Sequence, residues 1–485
     1  MTDAAIVGTG PNGLAAAVTL ARAGLKVTLY EKASTPGGGL RSTPLFDSDV
    51  VHDICSAVHP MAAASAFFRA FDLPARGVRL LQPDIPYAHP LPGGHAVAAW
   101  RSITRTAEQL GPDAQRWTRL LGPLAERSTA VVDLFLSDQR SLPGDLTTPM
   151  LLAPRILANA TKHSPFTTTE ARALLTGVAA HAVGRLPSLA SAAVALLLAH
   201  TAHSSGWPLP EGGSVRIADA LVADITAHGG TVHTGHHVKD LAELRKVPLV
   251  LLDVSPTEFL SLAGTRLPAG YQRALRRYRY GPGAAKADFL VSAPVPWTNP
   301  LLRQAGTIHL GGTQADIIRQ ENATVGGRPV SDPFMLVVDP AVTDPSRARG
   351  GKRPVWAYAH VPNGDTRDPV DIIRAHIEEH APGFTDTIID SRGLSAAQYA
   401  AYNPNYVGGD ISAGALSLRQ TLARPTLRRN PYTTPLPGVY LCSASTPPGP
   451  SVHGMCGHLA ALSALRRRYG ITTTPNLSPQ QQEFI

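Results

Sequence analysis

Residues 4–24, AAIVGTGPNGLAAAVTLARAG, constrain this chain more than any other stretch. Four apolar residues, Ala4 to Val7, run into Gly8-Thr9-Gly10-Pro11-Asn12-Gly13, and an Ala/Leu-rich run follows to Gly24. The pattern predicts a strand, a tight turn and a helix, with Gly24 just past the helix end. A second strand, Lys26 to Tyr30, then delivers Glu31, 23 residues after Gly8. Gly8 permits the turn, Gly10 lets the backbone approach a pyrophosphate at the helix N-terminus, and Gly13 lets helix and strand pack closely. Glu31 stands where an acid hydrogen-bonds a ribose, and a carboxylate there opposes a 2′-phosphate.

The residues after Glu31-Lys32 separate one dinucleotide from another. In ASTPGGGLRS, residues 33–42, the cluster Gly37-Gly38-Gly39 is followed by Arg41. A flexible loop and a fixed cation beyond the ribose-binding acid suit a ligand longer than NAD, with Arg41 offering a planar fork to phosphate or flavin oxygens.

GTGPNG and YEKASTPGGGLRS together resemble the start of the phytoene desaturase-like branch of the FAD-dependent amine-oxidase-type flavoproteins. Residues 209–238, 247–264 and 435–462 resemble further parts of that family, so the likeness runs the length of the chain. It implies an α/β fold: a discontinuous, glutathione-reductase-like Rossmann domain for FAD, with a mixed α+β substrate domain. The nucleotide pieces are expected near 1–70, 205–290 and 425–472, the substrate domain over 71–204 and 291–424, and a mobile polar tail over 473–485.

Carried over residue by residue, the resemblance implies that Gly8, Gly10, Pro11, Asn12 and Gly13 hold the pyrophosphate. Glu31, with Lys32 beside it, takes the adenosine ribose, and Val238 contacts adenine. Gly38, Gly39, Leu40 and Arg41 lie along the pyrophosphate and flavin. Ser445, Val452, His453, Gly454 and Met455 sit near the ribityl chain and the pyrimidine end. Where many relatives carry a glycine-rich turn, this chain has Pro447-Pro448-Gly449-Pro450-Ser451, which stiffens the turn and removes backbone donors. The implied activity is hydride transfer between a lipophilic, polyene or isoprenoid, substrate and flavin N5, in the direction of desaturation, with oxygen or a quinone as acceptor. A redox-neutral double-bond isomerase and a non-catalytic FAD-binding interaction protein are the alternatives.

A flavin carries the redox chemistry itself, so acid–base residues are hard to read. His59, in a loop implied to pass near the flavin, and His453 are the candidates. His233, His236 and His237 fall in a strand-like stretch with no carboxylate or cysteine to complete a metal set, so no metal is expected. Cys55, Cys442 and Cys456 are too few and too far apart for a disulfide or zinc framework, and a reducing, cytoplasmic setting is expected. The net charge of +8 is spread along the chain, which argues against nucleic acid as a partner and leaves weak attraction to an anionic membrane surface open. Oligomeric state stays open too. No run reaches the ~18 apolar residues of a membrane span. The nearest, LASAAVALLLA at 189–199, reads as a buried helix or as the lining of a lipophilic cavity.

Overall fold

The computed structural model describes residues 2–142, 144–161 and 163–479. The opening stretch folds as its pattern requires: β1 (Ala4–Val7), α1 (Pro11–Arg22) and β2 (Val27–Tyr30). Pro11 sits in the first helical turn, where its missing N–H costs nothing. Gly24 has φ +87° just after the helix.

β1 is the middle of a five-stranded parallel sheet. The order is Val439–Leu441, Leu249–Leu252, β1, β2, Thr231–His233. Its central strands are buried on both faces, which is why they read as unbroken apolar runs. One face is covered by α1, Val215–Ala227 and Met455–Ala464, and the other by residues such as Phe259, Leu262 and Tyr271. Strands from three distant parts of the chain build this sheet, so the nucleotide fold is discontinuous.

The second sheet has seven strands, in the order Ile388–Leu394, Gly283–Val291, Arg353–Val361, Met335–Val338, Ala305–Leu310, Ile85–Pro90, Ala96–Ala99. It is antiparallel except where Ile85–Pro90 runs parallel to Ala305–Leu310. Side chains alternate between its faces: Ala88 and Ala98 enter one core, while Tyr87, Val97 and Ala99 enter another formed with helices Ala114–Glu126, Thr169–Ala179 and Leu189–Ala202. The boundary expected near residue 290 is corrected here. Gly283–Val291 is nine buried residues hydrogen-bonded on both sides within the second sheet.

Helix Leu189–Ala202 is buried over much of its surface, and Val194, Leu197 and Leu198 line a cavity, so both readings of that run apply. The tail expected to be mobile is anchored at Leu477, while Thr473, Thr474, Asn476 and Ser478 are exposed. Leu477 is 3% exposed, and its carbonyl accepts a hydrogen bond from Arg76 Nη2 at 2.9 Å; residues 480–485 lie outside the described residues. Among the described residues no helix is long and apolar enough to cross a membrane.

Candidate functional site

A cavity of about 580 Å³ is lined by residues of both sheets and their helices. At one end stands the turn after β1. Gly8 has φ +95°, and a side chain there would begin 2.9 Å from the Asp253 carbonyl oxygen. A Cβ on Gly10 would lie 2.6 Å from Asp253 Oδ2, and one on Gly13 would collide with the Gly8 carbonyl oxygen. The three glycines are therefore required by the approach of α1 to β1 and to the end of strand Leu249–Leu252. Asp253 is the first residue beyond that strand. Its Oδ2 accepts from Gly13 N at 2.9 Å, at the helix N-terminus where the partial positive charge gathers. Burial, helped by the nearby Glu31 charge, pushes its carboxyl up to about 7.

Glu31 is engaged from both sides. Oε2 accepts from Thr9 N at 3.1 Å and Thr9 Oγ1 at 2.6 Å, and Oε1 accepts from Ala33 N at 2.8 Å and Arg41 Nη2 at 3.0 Å. Arg41 also donates to Thr35 O and to the Tyr402 hydroxyl. Arg41, expected as a fixed cation, lines the cavity as one half of a partly buried ion pair with Glu31. Asn12 Oδ1 is buried without a partner among the described residues, an acceptor left for a ligand to satisfy.

The predicted residues divide cleanly. Gly8, Gly10, Pro11, Asn12, Glu31, Lys32, Gly38, Gly39, Arg41, Val238, Ser445 and Val452 line this one cavity, although they come from four separate stretches of chain. Gly13, Leu40, Gly454 and Met455 do not; they form the packing behind the wall. His59 and His453 also lie outside it, which corrects both acid–base candidates. His453 Nδ1 accepts from Met455 N at 2.9 Å, and its Nε2 therefore donates to Gly449 O at 3.1 Å; both ring nitrogens are committed to the turn. The Ser214 hydroxyl donates to Ser56 O, so His59 Nε2 donates to Ser214 Oγ at 2.7 Å. Burial lowers both histidines to about 4. The helix after the turn begins at Met455, and its first amide is spent on His453.

Several wall residues carry no local sequence signal. Asp253 is 240 residues from the glycine it holds. Cys55 and Tyr406 meet at 3.5 Å between Sγ and the hydroxyl. His181, Thr307, Trp356 and Tyr358 reach the cavity from the substrate side. His236 and His237 follow the strand Thr231–His233; both are exposed, and both line the cavity. Behind the wall, Lys286 is buried, donates to Asp53 O at 2.8 Å and to Asp288, and lies 5.6 Å from the Trp356 ring centre. The buried thiols of Cys442 and Cys456 are both pushed up, Cys456 to about 12, which makes them poor nucleophiles. His376, Glu379 and His380 are close enough to share a metal ion, but none lines the cavity.

Residues 6–72 match the model of an NAD(P)-binding Rossmann-like domain. The fold is Rossmann-like. The chain is 25% identical to pyridine nucleotide-disulfide oxidoreductase domain-containing protein 2 of Rattus norvegicus, over 95% of this chain and 92% of that one. Among solved structures it superposes on putrescine oxidase with a TM-score of 0.59 at 16% identity, over 96% of this chain and 99% of the other. Reduced UDP-galactopyranose mutase gives 0.55 at 14%, over 98% and 96%. These superpositions cover both sheets, so the pairing of a Rossmann-like domain with a mixed-sheet domain is a recurring architecture.

Proposed function

We propose that the chain is an FAD-dependent oxidoreductase that acts on a lipophilic molecule, with desaturation as its direction and oxygen or a quinone as acceptor. One observation carries the reading. A single cavity runs from the glycine turn and Glu31, past Gly38-Gly39, Arg41 and Ser443 to Val452, into an apolar end against the second sheet. NAD would need only the first part of that wall. The structural neighbours with oxidase names support the class by shared fold alone.

The fit of FAD rests on the wall itself. The α1 N-terminus faces the cavity through Gly10, Pro11 and Asn12, suited to a pyrophosphate. The unpartnered Asn12 oxygen and the engaged Glu31 carboxylate are acceptors for hydroxyl groups. Bound FAD would supply two-electron chemistry, taking a hydride from a substrate carbon. The chain's own part is to orient and to exclude water: Val194, Leu197, Leu198, Leu336 and Val338 make a dry apolar wall, and among the described residues no acid–base side chain of ordinary pKa lines that end.

Anaerobic mixing of purified protein with a panel of isoprenoid and other lipophilic compounds tests the reading. Bleaching of the visible flavin bands by a compound supports it. Product formed only after chemical pre-reduction, without net bleaching, replaces it with the isomerase. No response across the panel favours a binding role.

A further inference from the structure

The substrate end of the cavity is unusual in what it lacks. The charged side chains that line the cavity are Glu31, Lys32, Arg41, Asp253 and Glu258, and all belong to the nucleotide-binding elements. Among the described residues, no Asp, Glu, Lys or Arg lines the other end, where the strands of the second sheet meet helix Leu189–Ala202. An ammonium or carboxylate placed there would be buried without a counter-charge, which is costly.

That end is not featureless. His181 lines it, and His181 Nε2 lies 3.0 Å from His309 Nε2. One proton is shared across that contact, and its owner follows from the other nitrogens. His309 Nδ1 is buried without a partner among the described residues. A bare nitrogen in that position is less costly than an orphaned N–H. His309 therefore carries its proton on Nε2 and donates to His181 Nε2, so the His181 proton sits on Nδ1, the nitrogen left for the cavity. Burial and the neighbouring histidines hold His309 well below its usual range, and burial holds His181 down to about 3, so the pair is neutral. Trp356 Nε1 and Thr307 Oγ1, on other lining residues, also lack partners among the described residues. A pure hydrocarbon would leave all of these groups unmatched.

We infer that this end accepts an uncharged, mainly apolar molecule bearing an acceptor oxygen, a carbonyl or an ether, and that His181, held in one tautomer by His309, donates the hydrogen bond that places it. The inference rests on reading this end as the substrate site. It narrows the lipophilic class: hydrocarbons lack the acceptor, and amines carry a charge the wall does not answer.

Equilibrium dialysis of the purified, cofactor-containing protein against three matched probes tests it: geranylacetone, the amine that carries an NH2 group in place of its carbonyl oxygen, and the hydrocarbon of the same skeleton. The ketone should bind at least about 10-fold tighter than either, the value of one net hydrogen bond of ~1.4 kcal/mol. His181→Phe should erase that preference while leaving hydrocarbon binding in place, and His181→Asn, which keeps an N–H near the same position, should recover most of it. In the wild-type protein, ¹⁵N-histidine spectra should show one Nδ1–H signal that moves with the ketone and not with the hydrocarbon. Equal or tighter binding of the amine or hydrocarbon, no binding of any probe, or a ketone preference indifferent to His181→Phe overturns the inference. Flavin content is read separately from the visible spectrum, so loss of the cofactor reading and loss of ketone selectivity are distinguishable.

Discussion

Two Gly→Ala substitutions, both inside helices, should act in opposite directions. Gly13 lies in the first turn of α1, and Gly122 lies within helix Ala114–Glu126. Neither residue needs a left-handed backbone. Each Ala therefore gains up to about 1 kcal/mol of helix propensity. At Gly122 nothing opposes the gain, because a Cβ would meet only Thr118 Cγ2 at 3.8 Å and Ile103 Cδ1 at 4.0 Å. At Gly13 the Cβ would collide with the Gly8 carbonyl oxygen and come 3.1 Å from Asp253 Cβ and Oδ2. Those are backbone and strand-end atoms, so relief requires α1 to move off the sheet, at the upper end of overpacking costs, ~3 kcal/mol. The net at Gly13 is a loss of ~2 kcal/mol. If the displaced α1 N-terminus carries that loss into the bound state, cofactor affinity falls about 30-fold. Thermal unfolding and dialysis against FAD read both effects. Gly13→Ala should unfold earlier and retain little cofactor, while Gly122→Ala should unfold at or above the wild-type temperature with full cofactor. If the two variants match in stability and cofactor content, the close approach of α1 to the strand ends is not what the glycine serves.

Asp253 has a raised pKa in the folded chain, so its contribution to stability is present below about pH 4 and is lost as pH rises toward 7. Asp253→Asn should flatten that stretch of the stability curve, and should make dinucleotide affinity less dependent on pH between 5 and 8, both followed by unfolding and dialysis across pH. Glu31→Ala strands the Thr9 and Ala33 donors and the Arg41 guanidinium; cofactor retention should fall at least ~10-fold and stability by ~1–3 kcal/mol. His453→Ala removes a link between Gly449 and Met455. It should lower the unfolding temperature and leave the rate of flavin reduction within a few-fold, whereas a general acid or base would cost ~10²–10⁴.

What could be read in the sequence was local or periodic. The turn from Gly8 to Gly13, Glu31 and the Gly38–Arg41 loop follow one another along the chain, so their spacing carries the chemistry. The resemblance over 247–264 and 435–462 pointed to where the chain returns to the first sheet. Contacts between distant segments left no such trace. Nothing near Asp253 reveals that it lies under Gly10 and Gly13, and the spacing of Glu31 and Arg41 does not show that the two pair. His59 and His453 looked reactive because they neighbour the site in sequence, but both rings are turned into the scaffold. His181 and His309 are separated by 128 residues and brought together by helix Thr169–Ala179 and the second sheet. Gly283–Val291, GAAKADFLV, sets Lys286 and Asp288 among apolar residues and is buried throughout, and nothing in that run says which sheet it joins.

The absorption spectrum of the purified protein tests the central claim most directly. Bands near ~370 and ~450 nm that persist through desalting, and are released on denaturation with the stoichiometry of one flavin per chain, are the predicted result. A colourless protein that takes up NAD and fails to take up FAD would contradict the account.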